Sequence, residues 1–109
     1  ITLFKDKSFD AVFSVYLHHE LPKEIRQQAI VESLRVLKPN GYFGIIDSLQ
    51  IDDDPKLNWA LKEFPKDFHE PFYKNYIDNP TEGLVPEDKA KLTSKRIGFL
   101  TKSLSYQKT

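Results

Sequence analysis

Two continuous apolar runs, separated by one amphipathic segment, constrain the fold more than any other feature of this chain. The first run, residues 9–16, reads FDAVFSVY, and the second, residues 42–49, reads YFGIIDSL. Short apolar runs rich in β-branched and aromatic residues are typical of strands buried on both faces. We therefore expect two buried strands.

The segment between the runs has the spacing of a helix. Pro22 stands near its start and Asn40-Gly41 near its end, as is typical of helix termini. Its apolar residues recur every three to five positions: Ile25, Ala29, Ile30, Leu34 and Leu37. A strand, a helix and a strand in this order predict a βαβ unit with parallel strands and a right-handed crossover.

The rest of the chain gives weaker patterns. We expect a helix from Pro55, capped by the preceding carboxylates Asp52–Asp54, and a short helix over 72–77. A further helix is predicted over 86–96, and alternating residues in 99–108 predict a half-buried or edge strand. The chain then divides into a βαβ unit (1–50), a helical and aromatic cap-like segment (51–98) and a terminal strand (99–109).

Charge and composition exclude several classes of function. The chain has 109 residues, and its 16 Lys and Arg residues balance 16 Asp and Glu residues, so no basic excess favours nucleic acid or an anionic membrane. There is no Cys, which excludes disulfides and thiolate chemistry. No apolar run approaches the roughly 18 residues of a membrane span, and we take the cytoplasm as the default location.

Two stretches carry a family resemblance. Residues 7–22 read KSFDAVFSVYLHHELP, and residues 32–41 read ESLRVLKPNG. Together they resemble the fourth strand, the following helix and the turn into the fifth strand of class I S-adenosylmethionine-dependent methyltransferases. The resemblance is looser at 69–73 and 97–99, where members of that family carry a substrate cap and a turn into the sixth strand. It implies an α/β fold with a partial Rossmann-like sheet, and S-adenosylmethionine as cofactor.

The departures from the family pattern concern the cofactor site. The chain has no Met, so we expect Ile1 not to be a translational start and the chain to be the C-terminal half of a longer enzyme. The family's glycine-rich cofactor turn and its ribose-binding acid would lie upstream of this half. The four glycines, at 41, 44, 83 and 98, form no Gly-x-Gly turn. We expect this half alone to be inactive.

Candidate site residues follow the two strands, because ligands of open α/β sheets bind beyond the carboxyl ends of the strands. The resemblance implies cofactor contacts from Ser14, Tyr16 and Leu17. His18 or His19 is a candidate general base, and since adjacent histidines do not point the same way, we expect at most one to face a ligand. No metal site is expected, because helical metal-ligand spacing is missing.

Four further residues are candidates for binding a small-molecule acceptor: Asp47, His69, Tyr73 and Tyr76. Asp47 can equally cap the next segment. The aromatic residues of 68–76 can line an acceptor pocket, but such residues more often form a satellite core under a loop.

A non-catalytic α/β interaction module is the alternative function. An unpaired apolar strand edge recruits other chains, which predicts a homo-oligomer or association with the missing N-terminal half.

Overall fold

The computed structural model describes residues 4–67 and 71–109, and it places four strands and three helices in that part of the chain. Short 3-10 turns lie at His18–Glu20, Pro55–Leu57 and Thr81–Leu84. In chain order the elements are β1 (Phe9–Val15), α1 (Lys23–Val36), β2 (Leu37–Ser48), α2 (Asn58–Asp67), α3 (Tyr73–Asp78), β3 (Ala90–Gly98) and β4 (Thr101–Lys108).

The strands form one mixed sheet in the order β1-β2-β4-β3. β1 and β2 are parallel and joined by α1, which confirms the βαβ unit and the α/β fold class. β2 pairs antiparallel with β4, and β4 pairs antiparallel with β3. No described helix has the length and apolarity needed to cross a bilayer.

The main core lies between α1 and the central strands. Side chains of α1, β2 and β4 meet there: Ile30, Leu34, Leu37, Phe43, Ile45, Leu104 and Tyr106. The predicted alternation in 99–108 is confirmed, because Lys102, Leu104 and Tyr106 are buried while their neighbours are partly exposed. The strand is central, however, since β2 and β3 pair with its two edges.

Two predictions about helices are wrong. Residues 90–98 form β3 and not a helix, because they pair with β4 from Ala90 opposite Lys108 to Gly98 opposite Thr101. The Ile97-Gly98-Phe99 step is therefore part of a hairpin. Helix α1 ends at Val36, before Asn40-Gly41, because Leu37 already pairs with Phe9 in the sheet. Asn40 instead takes a positive φ of 66° within β2, a backbone conformation that Asn tolerates.

The burial predicted for β1 is also wrong. In the described part of the chain β1 pairs only with β2, so its other edge carries no partner strand. Val12 packs against the core on one face of the strand, whereas Phe13 and Val15 on the other face are 70% and 59% exposed. An apolar sequence indicates what a strand can pack against, whereas its burial depends on the neighbours that are present.

A closed ring of ion pairs joins the hairpin to the loops beside α3. The ammonium of Lys102 lies 3.0 Å from Asp53 Oδ2 and 2.6 Å from Glu82 Oε1, and Lys95 lies 3.0 Å and 2.7 Å from the other oxygens of the same two carboxylates. Only Asp54 of the three consecutive aspartates caps the following turn, by accepting from Lys56 N. Asp53 was predicted as a capping residue, and its role as an ion-pair partner required the tertiary structure.

Candidate functional site

Asp47 organises the carboxyl end of the parallel strands. It is the penultimate residue of β2 and is fully buried. Its Oδ2 accepts from the backbone N–H of His18 at 2.8 Å, and its Oδ1 accepts from the backbone N–H of Ser48 at 2.8 Å. Oδ1 also lies 2.8 Å from Nδ1 of His19. One carboxylate thus fixes the turn after β1 against the end of β2.

The imidazole of His19 lies among tyrosine rings. Its centroid is 6.5 Å from that of Tyr16, 6.0 Å from that of Tyr73 and 6.3 Å from that of Tyr76, each in an edge-to-face arrangement. The side chain is 14% exposed, and it contributes to the wall of a cleft. When Nδ1 donates to Asp47, the neutral ring carries its basic lone pair on Nε2.

His18 has a different environment from its neighbour. It is 1% exposed, and its Nδ1 has no hydrogen-bond partner among the described residues. Burial lowers the pKa of His18 below its usual value, although the nearby charge of Asp47 opposes this shift. His18 therefore lies under the site and His19 at its surface.

Two tyrosines of α3 form hydrogen bonds with different atoms of Ser48. The hydroxyl of Tyr73 lies 2.8 Å from Ser48 Oγ, and Tyr73 borders the cleft. The hydroxyl of Tyr76 donates to the carbonyl of Ser48, and the side chain is fully buried. Burial, with the charge of Asp47 adding to it, raises the pKa of Tyr76 far above its usual value. Tyr76 supports the site from beneath and is not at the cleft surface.

Arg26 attaches α3 to the start of α1. Its guanidinium donates to the carbonyl of Leu21 at 2.9 Å and to the side-chain oxygen of Asn75. It also lies 5.7 Å from the ring centroid of Tyr76, within cation–π range. Arg26 is fully buried. Its contacts hold the tyrosines of α3 against the strand ends.

The cleft above Asp47 has a volume of about 250 Å³. Its walls come from the turn after β1, the end of β2, α2, α3 and the β3–β4 hairpin. The lining residues are Tyr16, His19, Ser48, Ala60, Leu61, Tyr73 and Leu100.

Tyr16 and the hairpin form one side of this cleft. Tyr16 has a positive φ of 52°, and its hydroxyl lies 2.8 Å from Thr101 Oγ1. Thr101 stands opposite Ser48 in the antiparallel register of β2 and β4, so Tyr16 spans β2 to reach it. Positive φ is uncommon in a residue with a bulky side chain and is often found at functional sites. Leu17, the next residue, is also well exposed.

The structure places four of the nine predicted residues, His18, His19, Tyr73 and Tyr76, around the buried carboxylate of a fifth, Asp47. A sixth, Tyr16, lines the cleft beside His19. Ser14 lies on β1 with a buried hydroxyl that has no hydrogen-bond partner among the described residues. His69 lies outside the described residues. Within residues 4–67 and 71–109, no group of three or more metal-ligating side chains could hold a metal ion.

The sequence-based interpretation missed Ser48, Leu100 and Thr101 as residues of the site. Ser48 directly follows a candidate residue at a strand end, and this position was a usable signal. Leu100 and Thr101 carry no motif, and they reach the site only through the pairing of β4 with β2.

Known proteins resemble the chain in sequence and in fold. The methyltransferase domain family matches residues 2–45. An uncharacterized protein from Haemophilus influenzae is 41% identical over 51 residues, which make up 47% of this chain and 20% of that protein. This chain thus spans about a fifth of the length of the curated relative.

Two crystal structures share the fold over nearly the whole chain. A protein from Pyrococcus horikoshii OT3 superposes with a TM-score of 0.71 at 20% identity, covering 100% of this chain and 56% of its own. A SAM-dependent methyltransferase from Methanosarcina mazei superposes with a TM-score of 0.69 at 21% identity, covering 99% of this chain and 63% of its own. Over residues 2–45 the chain is thus similar in sequence to the methyltransferase domain family, and over nearly its whole length it shares the fold of these two proteins.

Proposed function

We propose that this chain provides the acceptor side of an enzyme that transfers a methyl group from S-adenosylmethionine to a small molecule. The observation that carries the proposal is the pair formed by Asp47 and His19 at the wall of a cleft. The cleft lies beyond the carboxyl ends of parallel strands, which is where open α/β sheets bind their ligands.

The described residues fit one side of the cofactor. Tyr16 and Leu17 project from the end of β1 with 46% and 44% of their surface exposed, which offers an apolar wall beside the cleft. The buried hydroxyl of Ser14 on the same strand has an unused hydrogen-bonding capacity. We propose that these three residues flank the cofactor, and that its polar ends are held by a segment outside this chain.

The chain's residues position the acceptor and remove its proton. Bound S-adenosylmethionine supplies a methyl group activated on a sulfonium. Methyl transfer is an in-line displacement that depends mainly on positioning, with a general base where the acceptor has a proton to lose. His19 takes that proton on Nε2, and Asp47 stabilises the imidazolium that forms.

Calorimetric titration with S-adenosylhomocysteine tests the proposal. We expect the complete product of the parent gene to bind it, and this chain alone to bind it at least ten-fold more weakly. Failure of the complete product to bind would overturn the proposed function. If this chain and the complete product bound S-adenosylhomocysteine equally well, only the proposal that part of the cofactor site lies outside this chain would be contradicted.

The exposed edge of β1 favours a second candidate, a module that associates with another copy of itself. Phe13 and Val15 present apolar surface beside unpaired backbone groups, and such an edge can pair with an identical strand across a two-fold axis. Sedimentation equilibrium distinguishes the candidates. We expect a dimer that Phe13→Lys dissociates, and a monomer at high concentration would exclude this candidate.

A further inference from the structure

A second cavity lies at the opposite end of the sheet from the cleft. It has a volume of about 300 Å³ and lies between α1, the end of β4 and the turn that precedes β3. Its lining residues are Val31, Leu34, Arg35, Pro86, Lys89 and Lys108. From Thr101 beside the cleft to Lys108 beside this cavity, β4 rises by roughly 20 Å. The cavity is therefore separate from the cleft, and the two have no described lining residue in common.

One wall of this second cavity is apolar. It is formed by Val31, Leu34 and Pro86, which we call the apolar floor. Leu34 belongs to the main core and is 5% exposed, whereas Val31 is 53% exposed and accessible to a ligand. An aliphatic group lying on this floor is removed from water, and the gain in free energy grows with the apolar area covered.

The other wall is cationic. Lys108 is half-buried, and its ammonium donates to the carbonyl of Leu34 at 2.6 Å and to that of Leu37 at 2.8 Å. An ammonium has three protons, and no described residue accepts the third one. Lys89 is exposed and lines the same cavity. Neither lysine forms an ion pair with a described carboxylate, that of Thr109 included, and the acidic residues 87 and 88 are not in the described lining.

The charges around this wall leave a positive excess. Arg35 also lines the cavity, but its guanidinium is paired with two carboxylates, one of them that of Asp6. Burial lowers the pKa of Lys108, and the charges of Lys7 and Lys89 lower it further, against the opposing charge of Asp6. An anion beside Lys108 would compensate this repulsion between lysines.

We propose that this second cavity binds an aliphatic carboxylate of medium chain length, with about six to ten carbons. Its two oxygens accept from Lys89 and from the third ammonium proton of Lys108, and its chain lies on the apolar floor. Hydrogen bonds between opposite charges are among the stronger ones in proteins. The cavity is at the lower end of the range of roughly 300–1,000 Å³ that is typical of small-molecule pockets, which suits one short chain. Because the site is separate from the cleft, the inference does not depend on the proposed function.

Titration of this chain with octanoate, followed by NMR, tests the proposal. We expect a dissociation constant below about 1 mM, with shifted signals at Val31, Leu34 and Lys89 and unchanged signals at Ser48 and Leu100 of the cleft. Octanol has the same chain without the charge and should bind at least about five-fold more weakly. Octylammonium is repelled by the lysines and acetate is too short to cover the apolar floor, so each should bind at least about ten-fold more weakly.

Two variants and one control locate the site. Lys89→Gln should weaken octanoate binding about five-fold and leave octanol binding unchanged. Val31→Glu places a carboxylate on the apolar floor and should weaken octanoate binding at least about ten-fold. Lys62→Gln removes the same charge from an exposed residue of α2 and should change neither affinity. All three altered residues are exposed, so we expect the circular dichroism spectrum of each variant to match that of the unmodified chain.

Four results would each overturn the proposal. The first is no octanoate binding at about 10 mM, and the second is octanol binding as tightly as octanoate. The third is an equal loss of octanoate affinity in Lys89→Gln and Lys62→Gln. The fourth is a set of shifted signals confined to the exposed face of β1 around Phe13, which would indicate unspecific binding to apolar surface.

Discussion

Oδ1 of Asp47 lies 2.8 Å from Nδ1 of His19, and the same oxygen accepts the backbone N–H of Ser48. The second oxygen accepts the N–H of His18, so one buried carboxylate connects the end of β2 with the turn after β1. Orientation of the imidazole and stability of the strand ends therefore depend on the same side chain.

Removing the Asp47 carboxylate should destabilise the fold strongly. Asp47→Ala leaves the buried N–H of His18 without its acceptor, and we expect a loss of about 3 kcal/mol in the free energy of unfolding. Urea denaturation followed by circular dichroism measures this loss. Asp88→Ala removes an exposed carboxylate and should change stability by less than about 0.5 kcal/mol. Equal effects of the two changes would contradict the role assigned to Asp47.

Under the proposed function, His19 should control the rate of methyl transfer. With an acceptor that has a proton to lose, we expect His19→Gln to lower kcat about 100-fold near neutral pH. The deficit should shrink as the pH approaches the pKa of the acceptor, because the ionised acceptor needs no base. Tyr42→Phe, which alters an exposed tyrosine outside the cleft lining, is the control. A deficit that stays constant with pH would argue against a general base.

The ion-pair ring should make the chain sensitive to acid through Glu82. Burial alone would raise the pKa of Glu82, but hydrogen bonds from Lys102 and Lys95 lower it to about 2 from the usual 4.5. Its contribution is thus present above pH 4.5 and is lost as the pH falls towards 2. We expect Glu82→Gln to cost about 1–3 kcal/mol at pH 7 and to flatten the stability curve in that interval.

The control for this prediction is Glu87→Gln, which alters an exposed carboxylate on a nearby loop and should leave the curve unchanged. Chemical denaturation at pH 7, 4.5 and 3 provides the measurement. If the stability of Glu82→Gln changed with pH in parallel with that of the unmodified chain, the ion-pair ring would not be the source of this pH dependence.

His18 should add a second pH dependence at a higher pH. Because burial lowers its pKa in the folded chain, the unfolded chain binds the proton first as the pH falls below about 6.5. Stability is therefore full above that pH and declines below it, by at most about 1.4 kcal/mol per pH unit for one proton. Between pH 7.5 and 5.5, the denaturation midpoint of the unmodified chain should fall more steeply with decreasing pH than that of His18→Gln. Identical slopes would contradict this prediction.

Two glycines of β2 should differ in their tolerance of a methyl group. A Cβ at Gly41 would lie 2.8 Å from the carbonyl oxygen of Lys38 and 2.9 Å from that of Asp10, both backbone atoms. A Cβ at Gly44 would meet only the ring of Phe13, which is exposed and free to rotate. We expect Gly41→Ala to cost about 2–3 kcal/mol and Gly44→Ala less than about 1 kcal/mol. Thermal unfolding of both variants measures the difference, and the reverse order would contradict it.

Local patterns were sufficient to predict much of the chain. The apolar runs and the amphipathic segment between them predicted the βαβ unit. Asp47 and His19 were candidates because Asp47 stands at the end of one strand and His19 just after the other, and these strand ends meet. The aromatic residues around Tyr73 had two open interpretations, and the structure places Tyr73 at the cleft and Tyr76 beneath it. The helix predicted over 86–96 is wrong, because few apolar side chains mark strand β3, whose stability comes from pairing with β4.

The sequence by itself determined the order of the parallel strands and the residues at their carboxyl ends, because hydrophobic spacing acts over neighbouring positions. Only the tertiary structure decided that Thr101 meets Tyr16 and that Lys102 meets Asp53 and Glu82. These contacts depend on the register of β4 against β2, which is fixed by packing between segments more than 45 residues apart in the chain. The exposure of Phe13 and Val15 was likewise decided by what packs on each face of β1, a property that its own apolar sequence does not contain.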